Sequence, residues 1–167
     1  ATHGAVTVAN THPHVSQDGK FVMVHNGVIE NFGTLKKFLT GKGINFTSET
    51  DSEVLCNLIA YHYSELPSGE DRFIDAIRSA LPQCRGAYGI AVLCLDYPDT
   101  MIGARRGSPL VVGLGEDANF IASDASAFVG RAKEAVFLND GELAILKGND
   151  FRISTMEGQE AQAIAHP

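Results

Sequence analysis

Two kinds of hydrophobic periodicity alternate along the chain and predict a layered protein of strands and helices. Apolar residues spaced three and four positions apart predict helices over residues 31–40, 51–63 and 70–81. Short apolar runs separated by Gly, Pro and Asp predict strands over residues 21–25, 43–47, 87–95, 100–104, 110–113, 119–122, 136–138, 143–146 and 151–155. This order is typical of an α+β or layered α/β domain with antiparallel pairing.

Local signals mark where several of these elements begin and end. Thr50 and Glu53 have the spacing of a capping box at a helix N-terminus, and Pro82 ends the third helix. Residues 139–142 contain Asp-Gly between two apolar runs, which predicts a β-hairpin that residues 151–155 extend into a meander. The helices over 51–63 and 70–81 are expected to be neighbours.

The strand over residues 21–25 ends in His25-Asn26-Gly27, a sharp turn that can carry chemistry. Glycine tolerates backbone angles that other residues avoid, so a strand that stops in Asn-Gly turns abruptly. The backbone N–H of Gly27 and the side-chain amide of Asn26 can then converge on one point. Two convergent donors stabilise the negative oxygen that forms when an amide is attacked. The alternative is an ordinary hairpin turn, the usual role of an isolated Asn-Gly pair.

Composition and charge restrict the possible partners. The chain has 167 residues, 44% of them hydrophobic, as in one globular domain with a proper core. A net charge of −7 without clusters of Lys and Arg argues against nucleic acid or an anionic membrane as a partner. No apolar run approaches the length of a membrane span, and no signal-peptide pattern is present.

The three cysteines, Cys56, Cys84 and Cys94, are widely spaced and form no C-x-x-C pair. Neither a zinc knuckle nor a disulfide scaffold is indicated, and a reducing cytoplasm is the expected location. Cys56 and Cys94 lie within apolar patterns and are expected in the core. Cys84 follows Pro82 and is expected to be partly exposed.

Seven short segments carry a family resemblance. They are THG at 2–4, HPHVS at 12–16, HNGVIEN at 25–31, SETDSE at 48–53, RGAYG at 85–89, RGSPL at 106–110 and FIASD at 120–124. In this order they resemble the glutaminase domain of the glutamine–fructose-6-phosphate aminotransferases (glucosamine-6-phosphate synthases), a class II glutamine amidotransferase domain. Each segment is weakly specific by itself, and their common order makes chance an implausible explanation. The resemblance runs from residue 1 to about residue 155.

The resemblance implies a fold and a reaction. The fold is that of an N-terminal-nucleophile hydrolase, a four-layer sandwich of two antiparallel sheets between helical layers, here a single partial domain over residues 1–167. In that family, an N-terminal cysteine thiolate attacks the side-chain amide of L-glutamine, and the α-amino group of the chain is the base. The ammonia passes to sugar isomerase domains of the same parent chain, which convert fructose 6-phosphate to glucosamine 6-phosphate. No cofactor is implied, and the parent enzyme is expected to be a homo-oligomer.

The same resemblance assigns residues to roles. Asn26 and Gly27 match the oxyanion-hole pair, and Asp51 matches the acid that holds the α-amino group of glutamine. Thr2 and His3 match the segment beside the glutamine carboxylate. These roles agree with the chemistry, because a free amino acid needs one acid for its ammonium and donors for its carboxylate. Asp51 also suits a helix N-terminus, where carboxylates accept unpaired N–H groups, and the two roles can coexist.

The sequence departs from the family at its start. Residue 1 is Ala, and the N-terminal cysteine and the arginine that clamps the glutamine carboxylate are both missing. We therefore expect that an N-terminal portion has been cut off or left out, and that this chain by itself cannot hydrolyse glutamine. Loss of strands from a two-sheet sandwich exposes edges and apolar faces, so self-association is also expected.

Two rival functions remain open. One is a non-catalytic module that keeps the fold and only binds a ligand or partner. The other is the glutaminase domain of a different class II amidotransferase, such as amidophosphoribosyltransferase. The HPHVS and SETDSE segments favour the sugar enzyme over the second rival.

Two further patterns admit other chemistry. His12 and His14 have the H-x-H spacing of metal ligands, and His3 and His25 could join them, but no second acidic ligand lies nearby. A metal site is therefore disfavoured. Residues 105–108, Arg-Arg-Gly-Ser, could grip a phosphate, although a structural turn is the better interpretation.

Overall fold

The chain forms two β-sheets packed face to face, and helices cover the outer face of one of them. The computed structural model describes residues 6–8, 13–116, 118–124, 126, 130, 132–148, 150–156 and 165–166. The helices are α1 (Phe32–Gly41), α2 (Asp51–Glu65) and α3 (Arg72–Ala80), followed by a 3₁₀ turn at Leu81–Gln83. The strands are β1 (Val6–Val8), β2 (His14–Val15), β3 (Phe21–Asn26), β4 (Tyr88–Cys94), β5 (Thr100–Arg106), β6 (Val111–Leu114), β7 (Asn119–Ala122), β8 (Glu134–Phe137), β9 (Glu142–Lys147), β10 (Asp150–Thr155) and β11 (Ala165–His166).

The two sheets differ in strand order and in direction. The six-stranded sheet has the order β10-β9-β5-β4-β3-β2, and every neighbouring pair is antiparallel. The five-stranded sheet has the order β1-β7-β6-β8-β11 and is antiparallel except for the parallel pair β1–β7. This architecture confirms the predicted pair of sheets, with one parallel pair as a departure.

The strands at the centre of the six-stranded sheet are buried on both faces. On β4, Ile90 and Val92 pack with the helices, whereas Ala91 between them packs with residues of the five-stranded sheet. Successive side chains of a strand point to opposite faces, so a strand with two covered faces is apolar throughout. The core between the sheets comprises Ala91, Met101, Leu110, Val112, Ile121, Val136, Leu138, Ala144, Leu146 and Ile153.

The helical layer is centred on α2, which lies between α1 and α3 and contacts both. Its residues Leu55, Leu58 and Ile59 are completely buried. The expected neighbours α2 and α3 are thus confirmed. In the part of the chain that the structure describes, helices cover only the six-stranded sheet, so three of the four expected layers are seen. No helix in that part is long and apolar enough to span a bilayer.

Most predicted elements are confirmed, but the strand predicted over residues 43–47 is wrong. These residues form an irregular loop between α1 and α2. The N–H groups of Gly43 and Ile44 donate to backbone carbonyls at the end of α1, and those of Asn45 and Thr47 donate to side chains. Asn45 N–H donates to the side-chain oxygen of Gln17 at 2.6 Å, and Thr47 N–H donates to the Glu53 carboxylate at 2.8 Å.

The hairpin predicted at residues 139–142 is also wrong. The strand before this turn, β8, belongs to the five-stranded sheet, and the strand after it, β9, belongs to the other. The turn is anchored on the end of β5: Gly141 N–H donates to the Arg105 carbonyl at 2.8 Å, and the Asp140 carboxylate accepts from Gly107 N–H at 2.9 Å. These bonds place β9 beside β5. The predicted continuation of the meander is confirmed, because β9 and β10 pair as antiparallel neighbours.

Candidate functional site

The Asn26–Gly27 turn lies at the end of β3 in a conformation that only glycine adopts easily. Gly27 has a φ of +107°. A Cβ atom there would collide with the Ala87 carbonyl oxygen and lie 2.7 Å from Ser108 Oγ. The turn is not a hairpin, because β3 pairs with β2 and β4 and the chain continues from Gly27 towards α1.

A second glycine turn holds the first one in place. Gly86 has a φ of +111°, and its backbone pairs with that of Ile29 in an antiparallel bridge. Ala87 N–H donates to the Val28 carbonyl at 2.9 Å. The bridge at Ile29 and the hydrogen bond at Val28 therefore fix the path of the chain immediately after Gly27.

Asp51 is brought to the same place by the first turn of α2. Its Oδ2 accepts a hydrogen bond from Ile29 N–H at 2.8 Å, two residues beyond Gly27. Thr50, not Asp51, caps the helix, because Thr50 Oγ1 accepts from Glu53 N–H at 3.3 Å. Among the described residues, the other carboxylate oxygen of Asp51 accepts no hydrogen bond. The structure thus places three of the predicted site residues together: Asn26, Gly27 and Asp51.

His25 links the same two elements through its side chain. Its Nδ1 is hydrogen-bonded to Ser52 Oγ at 2.9 Å. Burial lowers the pKa of His25, and nearby His14 acts in the same direction, while the Asp51 carboxylate and the Ala87 backbone oppose the shift. The imidazole is therefore predominantly neutral near neutral pH. Sequence reasoning considered His25 only as a metal ligand and missed this contact, because nothing local relates residues 27 positions apart.

The loop before α2 is held by a buried carboxylate. Glu53 accepts hydrogen bonds from the backbone N–H groups of Thr47 at 2.8 Å and Ser48 at 2.7 Å, and from both hydroxyl groups. Burial alone would raise the pKa of Glu53, but the bonds from Ser48 and Thr47 outweigh it and lower the pKa. The predicted capping box is thus modified, because Glu53 reaches back past Thr50 to the two residues before Glu49.

A narrow cleft of about 10 Å³ opens between the ends of the two sheets beside Asn26. That volume is close to the space of one water molecule. The cleft brings together parts of four segments that carried the family resemblance, and its walls include His25, Asn26, Gly89, Leu110 and Ser123.

None of the three cysteines is suited to be a nucleophile. Burial raises the pKa of Cys56 and of Cys84 to about 12, and it also raises the pKa of Cys94. Cys56 and Cys94 lie in the core, as predicted. The expected partial exposure of Cys84 is wrong: it is 3% exposed, and its thiol points back to the Ala80 carbonyl under the 3₁₀ turn.

The remaining candidates contribute less to the described site. Thr2, His3 and His12 lie outside the described residues. Within the described part, no group of three or more His, Cys, Asp and Glu could hold a metal ion. Arg105 donates to the carbonyls of Ser108 and Leu138, so its guanidinium is occupied in holding the turn.

The fold is that of a class II glutamine amidotransferase domain, similar to the N-terminal-nucleophile hydrolases. Residues 5–130 match the family described as "Glutamine amidotransferase domain", and the chain belongs to this family.

Sequence relatives of the chain include glutamine–fructose-6-phosphate aminotransferases (isomerizing). The chain is 43% identical to that of Caldanaerobacter subterraneus subsp. tengcongensis over 160 residues, which cover 96% of this chain and 25% of the relative. It is also 43% identical to that of Methanosarcina acetivorans over 164 residues, covering 95% of this chain and 26% of the relative. The chain therefore spans about a quarter of the length of the curated relatives it matches.

Solved structures agree with the fold. The glutamine phosphoribosylpyrophosphate amidotransferase of B. subtilis, in complex with ADP and GMP, is 27% identical with a TM-score of 0.69, covering 88% of this chain and 31% of that chain. A glutamine aminotransferase class-II domain protein of Silicibacter pomeroyi, 14% identical, has a TM-score of 0.57 and covers 86% of this chain and 70% of that chain. The second likeness supports the fold alone.

Proposed function

We propose that this chain is a partial glutaminase domain of a glutamine–fructose-6-phosphate aminotransferase. The parent enzyme hydrolyses the side-chain amide of L-glutamine to glutamate and ammonia, and uses the ammonia to convert fructose 6-phosphate to glucosamine 6-phosphate. The observation that carries the proposal is the hydrogen bond between Asp51 and Ile29 N–H, which holds an acid beside the Asn26–Gly27 turn. The 43% identity over almost the whole chain supports the choice of this enzyme.

Each site residue has a distinct role in this proposal. Asp51 binds the α-amino group of glutamine, and Thr2 and His3 lie beside its carboxylate. The side-chain amide of Asn26 and the backbone N–H of Gly27 donate to the oxygen that becomes negative when the amide is attacked. The rigid turn favours this task, because donors that are already in position need no rearrangement during the reaction.

The nucleophile is the N-terminal cysteine of the parent chain, with its α-amino group as base. None of the three thiols in these 167 residues takes this role, because all three are buried with raised pKa values. The sugar isomerase domains of the parent chain receive the ammonia, the parent enzyme is a homo-oligomer, and the reaction needs no cofactor.

The role of Asp51 is tested by L-glutamine binding, measured by isothermal titration calorimetry on the native full-length chain that contains these residues. Asp51→Asn keeps an oxygen for Ile29 N–H but removes the charge, so glutamine affinity is expected to fall about tenfold or more while stability changes little. Asp71→Asn is the matched control, because Asp71 also lies at the N-terminus of a helix, as the N-cap residue of α3, and its side chain makes no capping bond. Equal affinity in wild type and Asp51→Asn would refute the assignment.

A second candidate is the glutaminase domain of an amidophosphoribosyltransferase, which the structural likeness at a TM-score of 0.69 favours. The two enzymes differ in the acceptor of the ammonia. Glutamate release by the full-length protein that increases with fructose 6-phosphate supports the first candidate. Release that increases with phosphoribosyl pyrophosphate supports the second. Glutamine binding without glutamate release in either case would indicate a non-catalytic module.

A further inference from the structure

A side-chain hydrogen bond joins the two elements that carry the candidate site. Ser52 Oγ lies 2.9 Å from Nδ1 of His25. His25 immediately precedes Asn26, and Ser52 immediately follows Asp51. The bond therefore connects the strand that ends in the candidate oxyanion hole with the helix turn that presents the candidate ammonium-binding acid.

Other hydrogen bonds join α2 to β3 and to the residues that follow it, among them the bond from the Cys56 thiol to the Phe21 carbonyl. Asp51 itself is bonded to Ile29 N–H at 2.8 Å, on the other side of the Asn26–Gly27 turn. A single hydrogen bond leaves two elements free to pivot about it, whereas two bonds on either side of the turn remove that freedom. The two bonds thus hold the acid and the turn together from either side of the turn.

The surroundings of the pair suit a positional role. Ser52 is buried, and Nε2 of His25 is buried without a hydrogen bond of standard geometry to any residue that the structure describes. The groups that act on the imidazole are Asp51 from α2, His14 from β2 and the backbone of Ala87. His25 is also among the residues that line the cleft beside Asn26.

We propose that His25 and Ser52 are a positioning pair that holds Asp51 in register with the Asn26–Gly27 turn, so that bound glutamine presents its amide to the oxyanion donors. This inference rests on the proposed function. Neither residue touches the reacting atoms. Their effect is on alignment, and small misplacements of a bound substrate reduce turnover strongly.

The test compares variants of the native full-length chain by glutamate release (kcat and KM) and by melting temperature. Ser52→Ala removes one oxygen atom and His25→Gln moves the polar atoms away from the Nδ1 position, so each abolishes the bond. His25→Asn keeps a polar atom near that position, and Ser52→Thr keeps the hydroxyl. We expect kcat/KM to fall about tenfold in Ser52→Ala and in His25→Gln, the value of one lost hydrogen bond. The conservative variants should retain most of the activity.

The double variant Ser52→Ala/His25→Gln separates alignment from general damage. Because both single changes break the same bond, the double variant should lose no more kcat/KM than either single variant. The inference is overturned if the two losses multiply, or if Ser52→Ala keeps wild-type kcat and KM. A purely structural pair would lower the melting temperature and leave kcat and KM unchanged well below it.

Failure of this inference differs from failure of the proposed function. If the wild-type protein neither binds nor hydrolyses glutamine, the proposed function fails, and the inference fails with it. If the wild type hydrolyses glutamine and the variants match it, the positioning role alone is refuted. Ser52→Ala is the decisive variant because it removes a single oxygen atom and is therefore the change least able to disturb folding. Its melting temperature shows directly whether the fold persists.

Discussion

At the scale of single residues, the candidate site depends on a glycine for two separate reasons. The φ of Gly27 is unfavourable for residues with a side chain, and the space beside its Cα is occupied by Ala87 and Ser108. The Asn-Gly pair predicted the turn correctly, because this signal is local. The sequence could not reveal the crowding, because Ala87 and Ser108 are distant in the chain.

Gly27→Ala should destabilise the protein by about 2–4 kcal/mol, since backbone strain and a steric collision add to one another. Gly19→Ala is the matched control: its φ is +77°, but nothing lies within 4 Å of the Cβ position. Urea unfolding of both variants measures the difference. A loss in Gly27→Ala no larger than that in Gly19→Ala would show that the contacts with Ala87 and Ser108 are unimportant.

The neutral His25 predicts a loss of stability in mild acid. Its pKa is lowered in the folded state, mainly by burial, so the unfolded state binds more protons as the pH falls below about 6.5. The free energy of unfolding is therefore highest above that pH and decreases as the pH falls from there through the lowered pKa. The asparagine of the His25→Asn variant does not titrate, so this variant should reduce the slope of the unfolding free energy against pH between pH 7.5 and 5.5.

His62 provides the comparison for this experiment. Burial lowers the pKa of His62 too, although the hydrogen bond with Gln83 opposes the shift. His62 therefore contributes to the same slope of unfolding free energy against pH, from a position remote in sequence. The His62→Gln variant should show a separate reduction that adds to that of His25→Asn. Parallel slopes for wild type and His25→Asn would contradict the assignment of a lowered pKa to His25.

At the scale of elements, the helices were predictable and the loop before α2 was not. The bounds of α2 follow from Thr50, Glu53 and the apolar spacing, all of which are local signals. Residues 43–47 are apolar and polar by turns, which locally resembles a strand. Their conformation is decided by Gln17 and Glu53. The side chains of these two residues accept hydrogen bonds from backbone N–H groups that would pair with a neighbouring strand in a sheet.

Glu53→Ala should destabilise the protein by about 2–4 kcal/mol, because it leaves backbone donors of Thr47 and Ser48 without their charged acceptor. Since the pKa of Glu53 is lowered, the contribution is complete above pH 4.5 and is lost as the pH falls through the lowered pKa. Chemical unfolding at pH 7 and at acid pH measures both effects. Glu49→Gln is the control, since the Glu49 side chain is 96% exposed and should change stability by less than about 0.5 kcal/mol.

At the scale of the whole molecule, the sequence pattern did not predict which strands lie side by side in the two sheets. Asp-Gly at residues 140–141 is a hairpin signal, yet the chain uses it to pass from one sheet to the other. A local turn signal states that the chain reverses but not which strand it joins. That choice depends on Arg105 and Gly107 at the end of β5, which receive the turn. The short apolar runs, by contrast, correctly predicted most of the strands.

The outer face of the five-stranded sheet should drive self-association of the 167-residue polypeptide. Phe137 of β8 is 47% exposed there, whereas the neighbouring apolar residues Val111 and Ala122 are themselves buried. Phe137→Ser should shift the molar mass measured by light scattering towards the monomer. Leu95→Ser removes an even more exposed side chain, 66%, from the β4–β5 turn and should leave the molar mass unchanged. A wild-type polypeptide that is monomeric at high concentration would contradict this prediction.

The burial of all three thiols makes the folded chain almost inert to thiol-selective reagents at neutral pH, where only a thiolate reacts quickly. A dye or spin probe aimed at cysteine would therefore attach only to a thiol placed elsewhere, whether engineered on the surface or supplied by a longer chain. No cysteine would first have to be removed from these 167 residues. The domain is thus suited to labelling at a single site. Reaction of Cys56, Cys84 and Cys94 with such a reagent would report unfolding of the domain.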